Sequence, residues 1–364
     1  MKYKTYTLDD LVTIKYGKNQ KKVQSEDGCF PIYGTGGLMG YSNEALYDKP
    51  SVLIGRKGTI NKVRYVDHPF WTVDTLFYTE VNENIVIPKY LYYLMSLLDL
   101  DSYNEGTTIP SLRTETLYRL EFDIPDIDQQ KKVLAVIDPI DNKMALNQRI
   151  NDNLLQQLHQ MYLHILGTSD MDISLGTVIS TTSGGTPSRK HDEYYSEGSI
   201  CWVKSKELLS GYIHDTEEHI NELAVEKSSA KLLPVHSVLI AMYGATVGAY
   251  GIIAKSMTCN QAVCALLSNE NYPYTYLFQL ACESQQKLIN LAVGSAQQNI
   301  SQVLIKQLPV HSNLEAIHSF HSLAQPMHEK IELLQAENAR LANIRDSLLP
   351  RLMSGEIDVS YFDI

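Results

Sequence analysis

Internal duplication is the feature that most constrains how this chain can fold. The tetrapeptide Ser-Val-Leu-Ile occurs at 51–54 and again at 237–240, and the proline-containing segment 138–143 has a counterpart at 325–330. The offset between the copies stays near half of the 364-residue chain. Solenoid repeats are only about 20–50 residues long. The sequence therefore predicts two copies of one large module.

Each copy shows the same order of patterns. It begins with a region rich in Gly, Tyr, Thr and β-branched residues, in which short apolar runs at 52–54 and 238–240 are typical of strands. A long stretch follows in which apolar residues recur at alternating steps of three and four, as in the seam of a coiled coil. These patterns predict a mixed α/β fold with two globular domains and two long helical regions.

The predicted seam includes an asparagine at corresponding places in the two copies. A buried Asn in such a seam typically fixes the register of the helices. The alternative is that each Asn marks a helix end, where the apolar stripe meets solvent. The predicted seam residues are Ile140, Met144, Asn151, Leu154 and Leu158 in the first copy, and Met327, Ile331, Leu334, Asn338 and Leu341 in the second.

Two prolines, Pro139 and Pro326, fall at matching points early in the helical regions. Because a proline kinks or starts a helix, we expect a short helix and then a long one of about 25 residues in each copy. The predicted domain order is a globular domain at 1–127, a helical region at 128–166, a second globular domain at 167–310 and a second helical region at 311–364.

The distribution of charge separates this chain from indiscriminate DNA-binding proteins. Such proteins need positive charge to displace the counterions of phosphates, whereas the net charge here is −11. Positive charge is nevertheless concentrated locally. Five basic residues and no acidic residue lie between 49 and 66, and Lys15, Lys18, Lys21 and Lys22 form a second cluster. Each cluster also suits an ordinary solvated surface.

Cysteine usage and apolar runs predict a cytoplasmic protein with no membrane contact. None of the five cysteines forms a CxxC pair, so neither a zinc site nor a disulfide framework is indicated. The N-terminal residues show no signal-peptide pattern. No apolar run approaches the roughly 18 residues that a membrane span requires.

Catalytic motifs are missing from the sequence. It has no phosphate-binding GxxxxGK[S/T] motif and no serine in a nucleophile elbow. His311, His318, His321 and His328 cluster on the second helical region without an accompanying HExxH pattern, so we expect them to be exposed or to face a partner. The sequence thus predicts no catalytic residue, no bound metal and no cofactor in this chain.

Several segments of the second copy resemble the specificity subunits of Type I restriction–modification enzymes. They are SGGTPSR at 183–189, ICWVKS at 200–205, VLIAMYGAT at 238–246 and QQNI at 297–300. The segment IRDSLLPRLMSGEID at 344–358 resembles the C-terminal tail of that family. The first copy matches more loosely, and its loop reads GRKG at 55–58 where the second copy reads AMYG at 241–244.

The resemblance implies a fold, a function and a set of partners. The fold is two target-recognition domains separated by a pair of long antiparallel coiled-coil helices, in a pseudo-twofold arrangement. The function is that of a non-catalytic subunit whose domains each read half of a bipartite, asymmetric site in double-stranded DNA, with an unread spacer set by the helices. The partners are two methyltransferase subunits that use S-adenosylmethionine, with room for two motor-nuclease subunits that use ATP and magnesium.

Candidate DNA-binding residues are polar side chains on glycine-flanked loops, which can remain exposed to base edges. The same residues also suit turns and bonds within the loops, and the lysines favour phosphate contacts. In the first domain the candidates are Arg56, Lys57, Thr59, Asn61, Lys62, Thr107, Thr108 and Arg113. In the second domain they are Thr186, Ser188, Arg189, Lys204, Lys206, Tyr243, Thr246, Gln297, Gln298 and Asn299.

A non-catalytic coiled-coil scaffold that binds only proteins is the competing hypothesis. The seam and the acidic net charge fit it. It gives no role to the duplicated loops, one basic and one rich in Gln and Asn.

Overall fold

The computed structural model describes residues 3–167, 170–292 and 299–361. The chain divides into two compact units, which we call the first unit (Met1–Lys143 with Leu341–Ile364) and the second unit (Met144–Arg340). None of the helices in these described ranges is long and apolar enough to cross a membrane.

The first unit combines short strands with three short helices and parts of two long ones. Its strands are β1 (Tyr3–Thr7), β2 (Val12–Tyr16), β3 (Phe30–Gly34), β4 (Gly37–Ser42), β5 (Ser51–Gly55), β6 (Val63–Val66), β7 (Trp71–Thr72), β8 (Leu76–Val81) and β9 (Glu121–Pro125). Its helices are α1 (Leu8–Leu11), α2 (Pro88–Ser96), α3 (Thr114–Tyr118) and the start of α4 (Ile127–Leu166).

The second unit contains the same kinds of strands and helices, with additional elements. Its strands are β10 (Ile173–Ser174), β11 (Ser180–Ser183), β12 (Ile200–Val203), β13 (Tyr212–Ile213), β14 (His219–Ile220), β15 (Val238–Ala241), β16 (Tyr250–Ile253), β17 (Thr258–Cys259), β18 (Val263–Leu267) and β19 (Pro309–Val310). Its helices are α5 (Leu175–Val178), α6 (Glu222–Lys227), α7 (Tyr274–Leu291), α8 (Gln302–Lys306) and most of α9 (Leu314–Met353).

Sheet topology confirms the predicted duplication. The first unit has sheets in the orders β2-β8-β5-β6, β4-β3-β7 and β1-β9. The second has β11-β18-β15-β16, extended by β13, then β14-β12-β17 and β10-β19. In both three-stranded sheets the central strand pairs antiparallel with one neighbour and parallel with the other. The predicted mixed α/β class is therefore confirmed.

The long helices run antiparallel within each unit. In the second unit, the Tyr162 ring near the end of α4 packs edge-on against Phe320 of α9, with ring centres 5.6 Å apart. Nearer the start of α4, Asn147 bonds to Asn338, which lies later in α9. In the first unit, Asp141 of α4 accepts a hydrogen bond from Arg345 of α9 at 3.3 Å. Residue numbers rise along one helix as they fall along the other.

Each unit completes its core with a helix from the other half of the sequence. In the first unit, Leu352 and Met353 of α9 lie in one apolar cluster with Val133 and Ile137. In the second unit, the end of α4 supplies Leu158, Tyr162 and Leu166 to the cluster that contains α7 and the start of α9. Burial of such side chains contributes about 1.5–3 kcal/mol each.

The predicted seam residues lie along the two helices with different degrees of burial. Both ends of the Asn338 amide are hydrogen-bonded: its oxygen accepts from Asn147 Nδ2 at 2.9 Å, and its Nδ2 donates to the Met144 carbonyl at 3.1 Å. Asn151 is fully buried and has no hydrogen-bond partner within the described ranges. The buried seam residues are Asn151, Leu158, Ile331 and Leu334, and the half-buried ones are Ile140, Met144, Leu154, Met327, Asn338 and Leu341.

The expectation that the prolines divide each helical region was wrong. Helices α4 and α9 each run unbroken for 40 residues, through Pro139 and Pro326. Both prolines are exposed, and the carbonyls that lose a donor belong to Ala135, which is half-buried, and Ser322, which is exposed, so water can reach them. Burial of the apolar stripe before and after each proline outweighs the cost of about 3 kcal/mol that a proline has inside a helix.

The expectation of exposed histidines was wrong for two of the four. His328 is fully buried, with Nδ1 3.2 Å from the Tyr212 hydroxyl, and burial lowers its pKa to about 3. The backbone N–H of His311 donates to the Tyr276 hydroxyl at 3.0 Å, and that hydroxyl also lies 3.1 Å from His311 Nδ1. These histidines form part of the aromatic core of the second unit.

One buried amide fixes the start of α4 to the first unit. Gln130 Nε2 donates to the carbonyls of Ile85 at 2.8 Å and Pro125 at 2.9 Å, and its Oε1 accepts from the Ile87 N–H at 2.8 Å. We predict that Gln130→Leu lowers the free energy of unfolding by about 3 kcal/mol, because it leaves buried polar groups without partners. The exposed Gln157→Leu is the control and should change it by less than about 0.5 kcal/mol. Denaturant unfolding of the full chain tests this, and equal small effects would contradict it.

Candidate nucleic-acid interface

The loop after β5 is tied to the segment that precedes α3. The Arg56 N–H donates to the Thr75 carbonyl at 2.8 Å, and the Arg56 carbonyl accepts from the Leu112 N–H at 3.0 Å. The Gly58 N–H donates to the Pro110 carbonyl at 2.9 Å. These bonds bring the 56–62 candidates against the 107–113 candidates, which were predicted separately.

A glycine makes this tight loop possible. A Cβ atom added to Gly55 would lie 2.2 Å from the Thr59 carbonyl oxygen, so any other residue would force the loop apart. Gly58 has a φ of 90°, which L-residues rarely adopt. The loop after β5 is therefore a fixed backbone frame that carries exposed side chains.

The second unit contains the same frame at the duplicated positions. Tyr243 forms a backbone bridge with Asn299, as Lys57 does with Ser111 in the first unit. The Ile300 N–H donates to the Met242 carbonyl at 2.9 Å. Candidates Gln297 and Gln298 lie outside the described residues.

The segment 183–189 joins the same surface of the second unit. The Gly185 N–H donates to the Cys259 carbonyl at 2.9 Å, and three residues later the Ala262 carbonyl accepts from the Met242 N–H at 2.7 Å. The exposed Thr186 hydroxyl donates to the Gln261 side chain. The stretch 259–262 thus holds both the 183–189 segment and the loop after β15.

Cations of the first unit differ in how firmly they are held. Arg56 Nη1 donates to the Asp74 carbonyl at 2.7 Å, and its guanidinium carbon lies 5.3 Å from the centre of the Tyr16 ring. Lys57 and Lys62 are exposed and form no ion pair within the described residues. Arg56 is therefore oriented, whereas the two lysines are free to reach phosphates.

The remaining first-unit candidates divide between paired and exposed side chains. Arg113 Nε lies 3.1 Å from a Glu105 carboxylate oxygen, and Asn61 Nδ2 donates to Asp101 at 3.0 Å. Both interactions occupy groups that would otherwise be available to DNA. The exposed hydroxyl-bearing candidates are Thr59, Thr107 and Thr108.

Cations of the second unit are paired with acids. Arg189 and Lys204 both contact the carboxylate of Glu218. Lys206 Nζ lies 2.5 Å from Glu217 Oε2. The hydrogen bond from Lys204 is the main cause of the lowered pKa of Glu218; burial opposes it, and Arg189 adds to the lowering.

An aromatic platform, which the sequence did not reveal, supports these cations. Trp202 is buried and its Nε1 donates to the Gly185 carbonyl at 3.0 Å. The Arg189 guanidinium carbon lies 4.2 Å from the centre of the Tyr195 ring, and Lys204 Nζ lies 5.6 Å from that of Trp202. Cations held on aromatic faces gain about 0.5–2 kcal/mol in general.

The other second-unit candidates make local bonds. Ser188 Oγ accepts from the Lys190 N–H at 3.4 Å, and Thr246 Oγ1 donates to the Tyr243 carbonyl at 3.2 Å. Tyr243 and Asn299 remain exposed. These bonds shape the loops and leave the tyrosine and asparagine side chains at the surface.

One cluster in the described ranges has side chains that suit a metal ion: Cys201, Asp215 and His219. The Cys201 thiol donates to Asp215 at 3.2 Å, and His219 Nε2 lies 2.8 Å from the same carboxylate oxygen. Burial raises the pKa of the Cys201 thiol, and the bond to Asp215 raises it further. These three side chains form a hydrogen-bonded cluster.

Comparisons with known proteins agree on one family. Residues 1–156 and 170–312 match the sequence model of the Type I restriction modification DNA specificity domain. The chain is 24% identical over 344 residues to the Type I restriction enzyme MjaIX specificity subunit of Methanocaldococcus jannaschii, covering 86% of this chain and 79% of that one. It is 22% identical over 375 residues to the HindI specificity subunit of Haemophilus influenzae, covering 79% and 81%.

A solved structure shows the same fold. The S subunit of a Type I restriction–modification system from M. genitalium superimposes with a TM-score of 0.60 at 16% identity, covering 97% of this chain and 96% of that one. The family match spans both duplicated modules, including the two loop frames. The chain belongs to the Type I restriction–modification DNA specificity family.

Proposed function

We propose that each unit reads one half of a bipartite, asymmetric site in double-stranded DNA, and that α4 and α9 set the unread spacer. The observation that carries this is the repeated loop frame, bridged at Lys57–Ser111 and at Tyr243–Asn299. One backbone frame carrying different side chains is what two readers of different sequences require. A protein-only scaffold gives this repeated frame no role.

The chain acts in this proposal as a non-catalytic subunit of a larger assembly. Two methyltransferase subunits would use S-adenosylmethionine to methylate adenine, and two motor-nuclease subunits would use ATP and magnesium. The relatives named above are specificity subunits of Type I restriction enzymes, which supports such partners. The sequence of this chain contains no phosphate-binding or nucleophile motif of its own.

Exchange of the second globular domain tests the division of labour. Residues 173–310 are suited to exchange because Ile173 at one end pairs with Val310 at the other, so the graft begins and ends at adjoining points. Replacement by the same segment of another family member should change one half of the methylated site only. Methylome sequencing of cells that also express the methyltransferase partner gives the answer. A change in both halves would show that the domains do not read independently.

Two neighbouring residues should separate base reading from phosphate binding. Arg56 is oriented by Asp74 and Tyr16, as a residue that reads guanine must be. Arg56→Gln should therefore alter the preferred sequence of one half-site. Lys57→Gln should weaken binding to all duplexes and reduce the slope of log affinity against log salt by about 0.9.

Binding titrations of the assembled complex at several salt concentrations measure both effects. The two variants are matched because each removes one positive charge from adjacent positions. Indistinguishable effects of the two variants would contradict the assignment of different roles.

Lengthening both helices tests whether they set the spacer. We place seven-residue insertions after Lys143 in α4 and after Arg340 in α9, where the chain passes between the units. Seven residues add about 10 Å at 1.5 Å per residue, which corresponds to about three base pairs. The unread spacer should lengthen by up to that number while both half-sites stay the same.

Two controls accompany the insertions. Insertion in α4 alone removes its match with the antiparallel α9 and should destabilise the chain, as should two-residue insertions, which rotate the seam. Methylome sequencing reads out the spacer. A double-insertion variant that methylates sites with the original spacer would show that the helices do not set this distance.

A further inference from the structure

Three cations on the proposed DNA surface of the second unit lie among three carboxylates. Arg189 and Lys204 share the carboxylate of Glu218, and Lys206 pairs with Glu217. A further carboxylate completes the set. Glu207 accepts backbone N–H groups of Lys204 at 2.7 Å and of Glu217 at 2.8 Å. The three positive and three negative charges cancel.

The position of Glu218 is fixed by the backbone rather than by its salt bridges. Its carbonyl accepts from the Trp202 N–H at 3.2 Å and from the Thr216 hydroxyl at 2.7 Å. It directly precedes β14, which pairs with β12 and so with the strand that carries Trp202. A substitution of the carboxylate alone therefore leaves the strand pairing that places residue 218 unchanged.

The cations remain within reach of a ligand despite being paired. The Arg189 side chain is 56% exposed and Lys204 is 20% exposed, while Glu218 itself is 32% exposed. In the first unit, the loop that corresponds to the Tyr243 loop carries Lys57 and Lys62, which are exposed and form no ion pair within the described residues. These two lysines are unpaired, whereas Arg189 and Lys204 share the carboxylate of Glu218.

We propose, resting on the DNA-reading function above, that Glu218 is a specificity-determining residue that masks Arg189 and Lys204 from phosphates. Binding to non-cognate DNA depends on neutralising phosphates and releasing their counterions. A phosphate of non-cognate DNA can pair with Arg189 or Lys204 only by displacing Glu218. Its binding therefore gains little free energy. On cognate DNA, base contacts of the neighbouring loops hold the duplex close, and the two cations exchange Glu218 for phosphate.

The variant Glu218→Gln removes the mask with almost no change in size. The wild-type complex of the full chain with its methyltransferase partner first selects its site from random duplexes. Wild type and variant are then titrated with that site and with a scrambled duplex, over a range of salt concentrations. The variant should bind the scrambled duplex more tightly, its salt slope should steepen by about 1–2, and the ratio of cognate to scrambled affinity should fall roughly tenfold.

A matched control removes the same charge elsewhere in the same unit. Glu226 pairs with Lys227 on α6 and is 69% exposed. Glu226→Gln should leave the scrambled-duplex slope near that of the wild type. Equal effects of the two variants would overturn the proposal, because overall charge would explain both. A loss of cognate affinity alone would overturn it too, since Glu218 would then be reading a base.

A second comparison does not require the Glu218 variant to fold. Because Arg189 is masked, Arg189→Gln should weaken binding to the scrambled duplex much less than Lys57→Gln does. Equal losses would overturn the masking. A wild-type complex that does not distinguish the two duplexes would remove the DNA-reading function itself, and with it this inference.

Discussion

Neither unit of this molecule completes its apolar core with one half of the sequence. The end of α9 supplies Leu349 and Leu352 to the first unit, and the end of α4 supplies Leu158 and Tyr162 to the second. This exchange of helices explains why both run unbroken for 40 residues. The same packing supports the loops after β5 and β15, because each of these strands belongs to a sheet whose core the exchanged helices complete.

The two long helices are joined by polar contacts as well as by apolar packing. Asn338 bonds to Asn147, whereas the duplication aligns Asn338 with Asn151. Leu334 stands where a second copy of Asn147 would be, and Asn151 is buried without a partner in the described ranges. Buried amides left unpaired typically cost about 1–3 kcal/mol each. A slip of one heptad would set Asn338 against Ile140 or Leu154, so the single amide pair favours the observed register.

Much of this architecture could be predicted because it follows from local patterns. The repeated strand and helix signals gave the duplicated α/β order, and alternating steps of three and four gave the long helices. The prediction that the prolines divide each helical region was wrong. Apolar periodicity shows only which face of a helix packs, and Pro139 and Pro326 lie on the exposed face, where the helix continues through them. The glutamate partners of the second unit were missed because Arg189 and Glu218 are separated by 29 residues, and only the folded sheet brings them together.

The pairing of Arg189 and Lys204 with Glu218 agrees with the acidic net charge of −11. A protein that must find one site among many gains little from strong attraction to every phosphate, because non-cognate DNA is in vast excess. Within the described residues, Lys57 and Lys62 of the first unit are exposed and form no ion pair, whereas Arg189 and Lys204 of the second unit share the carboxylate of Glu218. Exchange of a carboxylate for a phosphate conserves the number of charge pairs. In the exchange proposed above, base contacts of the neighbouring loops therefore decide whether the phosphate replaces Glu218.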